Sequence, residues 1–109
     1  MKKILNFIII FFFWSTALYA KNITYICEVT DSKNKTFKEI FEIKNDQFLS
    51  DGYILKTSSI KINNISAEVN YYWNKSNVRH KVNFKNGKGF EIWTSETTTN
   101  TYYLNCSVI

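Results

Sequence analysis

Three features of the sequence predict an all-β fold. From residue 23 onward apolar residues recur at every second position, and no stretch carries them at helical spacing. The alternating segments are joined by short polar turns, which is the pattern of an antiparallel meander. The only two cysteines, Cys27 and Cys106, lie near opposite ends of this region, in phase with its apolar positions. A bond between them brings the first and last strands together. The expected architecture is therefore a small antiparallel meander barrel of roughly seven to nine strands, closed or nearly so and clipped by one disulfide. A two-sheet sandwich clipped by the same bond is the alternative.

The first twenty residues are of another kind. Met1-Lys2-Lys3 is a cationic start, Phe7 to Trp14 is an unbroken apolar run, and Ser15 to Ala20 holds small residues ahead of a cleavage point. This is the layout of a secretory signal peptide, so residues 1–20 are expected to be removed and 21–109 to form a single secreted β-domain. The run is shorter than the roughly 20 residues a membrane span needs, so contact with a membrane is expected only through this segment before cleavage. The remaining 89 residues carry twelve basic and nine acidic side chains, a net charge of +3. That is a weak excess, and nucleic acid is not an expected partner of an exported chain. Export also places the cysteines in an oxidising compartment, where the pair forms a structural disulfide. Lys, Asn and Ile make up 40 of the 109 residues, a bias that resembles AT-rich bacterial coding and directs the chain to the periplasm or the medium.

The strands follow in order. Ile23, Tyr25, Cys27 and Val29 share one face, and Asp31-Ser32-Lys33-Asn34 turns the chain. Phe37, Phe41 and Ile43 face inward on the next strand, where Glu39 breaks the alternation. Asn45-Asp46 and Asp51-Gly52 are turns around a short strand from Gln47 to Ser50, followed by separate short strands at Tyr53 to Lys56 and at Ile60 to Ile62. Ile65, Ala67, Val69, Tyr71 and Trp73 then alternate cleanly. After Asn74-Lys75-Ser76-Asn77 the pattern resumes with Val78, His80, Val82 and Phe84. Phe90, Ile92 and Thr94 are expected inward on the next strand, and Tyr102, Leu104, Cys106 and Val108 on the last.

Turn chemistry suggests a register. A three-residue loop with Gly87 in the left-handed position pairs Val82 with Phe90 and His80 with Ile92 inside. Outside it sets Lys81 against Glu91 and Arg79 against Trp93, so opposite charges meet. A four-residue turn at 74–77 pairs Tyr71 with His80 inside and Tyr72 with Arg79 outside. Trp93 then falls beside Tyr103.

Enzymatic chemistry has little support. His80 is the only histidine and sits on an apolar face, with no nucleophile or orienting carboxylate in view. The cysteines are committed to the disulfide, the acids are scattered, and neither a metal site nor a cofactor is expected. Small barrels can hold a ligand at one mouth, but Tyr25, Phe41, Tyr71, Phe84, Phe90 and Tyr102 are expected to fill this interior as core. The outward face is richer: Tyr72, Arg79, Lys81, Trp93 and Tyr103 form an expected binding patch, because exposed Trp and Tyr beside Arg is a composition enriched at interfaces. Arg79 stacked on Trp93 would present its guanidinium to an acidic protein surface, an anionic glycan or a lipid head group.

The layout, a signal followed by a small disulfide-clipped antiparallel barrel, resembles that of the periplasmic lysozyme inhibitors. That family carries a Ser-Gly-rich loop, whereas Thr57-Ser58-Ser59 has no adjacent glycine here, so the resemblance is one of layout and carries over no residue. The sequence is read as an exported, monomeric, non-enzymatic binding protein. The alternatives are an inhibitor of a secreted hydrolase and a small enzyme centred on His80.

Overall fold

The computed structural model describes residues 22–109, and the expected signal peptide and its cleavage site lie outside them. Eight antiparallel strands close into a barrel in sequence order. They are β1 (Ile23–Thr30), β2 (Thr36–Lys44), β3 (Gln47–Ser50), β4 (Tyr53–Ile62), β5 (Ser66–Trp73), β6 (Ser76–Asn83), β7 (Lys88–Thr94) and β8 (Thr99–Val108). β1 closes the ring by pairing with β8, and Cys27 faces Cys106 directly across this seam with a disulfide between them. Closure leaves no free sheet edge, so the backbone donors and acceptors of every strand have a neighbour. A disulfide in a small barrel is compatible with a periplasmic or extracellular location.

Local chemistry explains most of the turns. Asn45-Asp46 and Asp51-Gly52 are two-residue loops with positive φ at both residues, the geometry whose twist matches the flanking strands. Asp51 also accepts the Ile40 amide on its side chain while its own amide donates to the Ile40 carbonyl, which pins the β3–β4 turn to β2. Asn74-Lys75 is a two-residue loop as well, so Tyr71 pairs with Val78 and Tyr72 with Asn77. The expected register there is off by two residues. A slip of two preserves the faces, so Tyr71 and His80 remain inside and Tyr72 and Arg79 outside, although neither pair is directly opposed.

β4 is one strand where two were expected. A bulge at Ser58 shifts its register between Thr57 and Ser59. Before the bulge Leu55 and Thr57 face in; after it Ile60 and Ile62 take that side, opposite Val69 and Ala67. The inserted residue changes the phase of the alternation, which in the sequence alone looks like a strand break.

The β6–β7 connection departs furthest from expectation. Its loop runs over four residues, Phe84 to Gly87, closed by the Gly87 amide donating to the Asn83 carbonyl. Gly87 has φ of 76°, and a Cβ there would strike the Cys106 carbonyl oxygen, whose residue in turn donates its amide to Gly87 O. Val82 consequently pairs with Gly89, Lys81 with Phe90, His80 with Glu91, Arg79 with Ile92 and Val78 with Trp93. Gly89 lies so close to β6 that a Cβ would collide with the Lys81 carbonyl oxygen. One extra loop residue turns β7 over. Glu91 and Trp93 point inward, and Phe90 and Ile92 point outward, the reverse of the expectation.

The core fills the middle of the barrel. Tyr25, Phe41 and Phe48 are fully buried, and Phe41 and Phe48 stack with ring centroids 5.5 Å apart. The turns β1–β2, β3–β4, β5–β6 and β7–β8 gather at one end. Both ends of the described chain lie at the other, where Ile23 pairs with Ile43 and Tyr25 with Val108.

Candidate functional site

The inversion of β7 brings a carboxylate into the barrel, and the neighbouring strands supply donors to meet it. Glu91 is 3% exposed and His80 0%. His80 Nδ1 lies 2.7 Å from Glu91 Oε2, Tyr71 Oη donates to the same oxygen at 2.9 Å, and Trp93 Nε1 donates to Oε1 at 3.3 Å. The other imidazole nitrogen, Nε2, lies 2.7 Å from Tyr25 Oη. Burial, and after it the Glu91 charge, push the pKa of both phenols well above the ordinary value, so they stay protonated. His80 Nδ1 donates to Glu91, and Nε2 and Tyr25 Oη share a hydrogen bond. Every polar side-chain atom buried among the described residues has a partner. The imidazole is also enclosed by aromatic rings, at 4.7 Å from Phe41 and 5.0 Å from Phe48.

Above this network the barrel opens. A cleft of about 290 Å³ lies at the end where the four turns gather, lined by Glu39, Ser50, Asp51, Tyr53, Leu55, Tyr71, Trp73 and Trp93. Its size is at the small end of ligand pockets, which run from about 300 to 1,000 Å³. β4 and β5 supply Tyr53, 73% exposed, and Trp73, 45% exposed, to its rim. Trp93 stands edge-on to Tyr71 at 6.3 Å and to Tyr102 at 5.9 Å. Glu39, the residue that breaks the β2 alternation, reaches this cleft, where its Oε2 accepts the Ser50 hydroxyl at 3.0 Å. Burial first, then the charge of Glu91, raise the Glu39 pKa above its ordinary 4.5, and Asp51 adds in the same direction against the Ser50 bond.

Glu39 makes the stability of the barrel depend on pH. With its pKa raised in the fold, the folded chain binds more protons than the unfolded chain from about pH 4.5 up to the folded value. Stability therefore falls as pH rises through that interval. Glu39→Gln should be more stable than the parent at pH 7 and nearly equal to it at pH 4, as read by urea unfolding at the two values. A parent whose advantage over the variant grows with pH would contradict this.

The five residues of the expected outer patch do not stay together. Tyr72, Arg79, Lys81 and Tyr103 face outward, while Trp93 faces into the mouth beside Tyr102 and not toward Tyr103 or Arg79. Arg79 Nη2 lies 3.2 Å from Glu68 Oε1 and, with Tyr72, lines a shallow groove that also includes Asn70 and Ile92. Lys81 pairs across the strands with Glu68 and Phe90, and Tyr103 with Phe90 and Thr30. Phe90, expected in the core, lies on this outer row. The mouth residues Glu39, Tyr53 and Trp73 were not grouped by the sequence reading; the break in alternation at Glu39 was the one visible sign of them. Among the described residues no group of His, Cys, Asp and Glu is arranged to hold a metal ion.

No protein-family model matches the chain, and it matches no curated protein and no solved structure.

Proposed function

We propose that this chain is a small exported binding protein without enzymatic activity, whose ligand enters the barrel at the mouth between Tyr53, Trp73 and Trp93. The observation that carries this reading is the cleft itself: exposed aromatic faces above a floor whose hydrogen-bonding groups are fixed in place by Glu91 and Ser50. The signal-like first twenty residues and the disulfide support export to the periplasm or the medium. His80 supports a structural role for the only imidazole, since it has no exposed surface and both ring nitrogens are engaged.

Trp73 and Trp93 are the only tryptophans after residue 20, so their indole N–H signals report on the cleft alone. In a fragment screen followed by nitrogen-15 NMR, hits should move both signals, and Trp73→Ala should remove most of them. Hits that move neither indole would overturn the mouth as the binding site.

A second reading keeps the outer face. Tyr72 and Arg79 share one groove, and the Arg79 side chain is 53% exposed, which suits an anionic group on a protein, glycan or lipid. Glu68 already meets that guanidinium, so the mouth is the stronger reading. Hits that move the Arg79 and Asn70 side-chain signals and spare both indoles would favour the groove.

A further inference from the structure

Granting the mouth as the binding site, we infer that its ligand is a small organic cation, an ammonium group on an apolar body.

The lining has a one-sided chemistry. The Tyr71 hydroxyl and the Trp93 indole N–H both donate to Glu91, and the Ser50 hydroxyl donates to Glu39. These donors are already used by carboxylates. What the cleft offers a ligand is the rings of Tyr53, Trp73 and Trp93, the Tyr53 hydroxyl and Trp73 indole N–H at the rim, and the carboxylate of Glu39. No lysine or arginine lines it, although the chain as a whole carries fourteen basic and nine acidic residues. The cleft thus runs against the sign of the molecule. The charges that act on Glu39 are those of Glu91 and Asp51, both acids. An anion would meet this field with only the neutral Tyr53 hydroxyl and Trp73 indole N–H to set against it, and no cationic side chain. A neutral polyol can donate to Glu39 but gains nothing from the field of the acids. A cation gains from the carboxylates by Coulomb attraction and from the ring faces by their quadrupoles, and an apolar body covers the exposed indole.

Glu39 has a second mark of a functional position. It interrupts the inward-facing row of β2, between the half-exposed Phe37 and the buried Phe41 and Ile43, at a place where burial and two neighbouring acids disfavour its charge. Groups that oppose stability and are nonetheless held in a cleft are characteristic of binding sites. A bound cation supplies the counter-charge that the fold lacks there.

The test uses the chain with its disulfide intact, titrated with choline and with its neutral isostere 3,3-dimethyl-1-butanol. Tryptophan fluorescence and the Trp73 and Trp93 indole signals are the readouts. Choline should bind at least about tenfold more tightly than the alcohol, a gap within reach of one carboxylate and two or three ring faces. Glu39→Gln should narrow the gap severalfold, the rings keeping the remainder, and Arg79→Ala should not change it. Equal binding of both probes at the two indoles would overturn the cation and leave the mouth standing. Indoles that respond to neither probe up to about 10 mM would overturn the inference, and fragment hits at the same indoles would then show that the mouth itself survives.

Discussion

Glu91→Ala should lower the free energy of unfolding by about 3 to 5 kcal/mol, because it leaves a buried polar network without its centre. The carboxylate is the acceptor for His80 Nδ1, Tyr71 Oη and Trp93 Nε1, and all three would be left facing a space that alanine does not fill. A buried donor without a partner costs about 1 to 3 kcal/mol. The loss would not be the net worth of the network, because an apolar replacement of both partners is a different experiment. Recovery requires the whole network to become apolar: Glu91→Leu with His80→Leu, Tyr71→Phe and Tyr25→Phe should regain much of the loss, whereas the two leucines alone still leave the Tyr71 and Tyr25 hydroxyls without partners. Glu91→Gln should fall between the alanine and the all-apolar variants, retaining acceptors but adding two amide hydrogens to a site rich in donors. Urea unfolding followed by tryptophan fluorescence reads all of these. A loss below about 1 kcal/mol in Glu91→Ala would mean that the interior is wet or the network dispensable.

Removal of the disulfide should have an effect of similar size by a different route. Cys27 and Cys106 are 79 residues apart in sequence, and linking them removes conformational freedom from the unfolded chain. For a loop of this length the chain-entropy account gives about 4 to 5 kcal/mol. The double variant Cys27→Ala with Cys106→Ala should unfold at markedly lower urea, and the parent in excess dithiothreitol should move toward it. The folded barrel should keep its β1–β8 ladder, so its circular dichroism before the transition should be nearly unchanged. A midpoint that does not move on reduction would show that the staple contributes nothing beyond the ladder.

Much of the fold is legible in the residues because the barrel has one inward face and the period of a strand is two. Ile23 to Val29, Ala67 to Tyr71 and Val78 to Val82 alternate in the sequence as they do in the structure, and the in-phase cysteines announce the seam. The bulge at Ser58 hides one strand as two because it changes phase without any proline or glycine to mark it. The sequence points β7 the other way round because Lys81 opposite Glu91 is a favourable exposed pair, worth only about 0.2 to 1 kcal/mol. A buried carboxylate with three donors outweighs that preference, but those donors come from β5, β6 and β7, and their convergence is a property of the closed ring. The candidate site inherited the same error. Trp93, expected on the outer patch, lines the cleft at the mouth instead. Glu39 was seen as a flaw, and only closure of the barrel shows that the flaw opens onto a cleft.

The seam between β1 and β8 has one more consequence. From Cys27 to Cys106 the backbone and the disulfide together make a covalent loop with no free end. A protease that cuts one exposed turn, Asp51-Gly52 for example, opens that loop but releases no fragment. The product is one molecule with new ends at the cut, in effect a circular permutant joined through sulfur. Its strands keep the same neighbours, and it would run at the parent's mass until reduced. A single cleavage is then an event the barrel can survive.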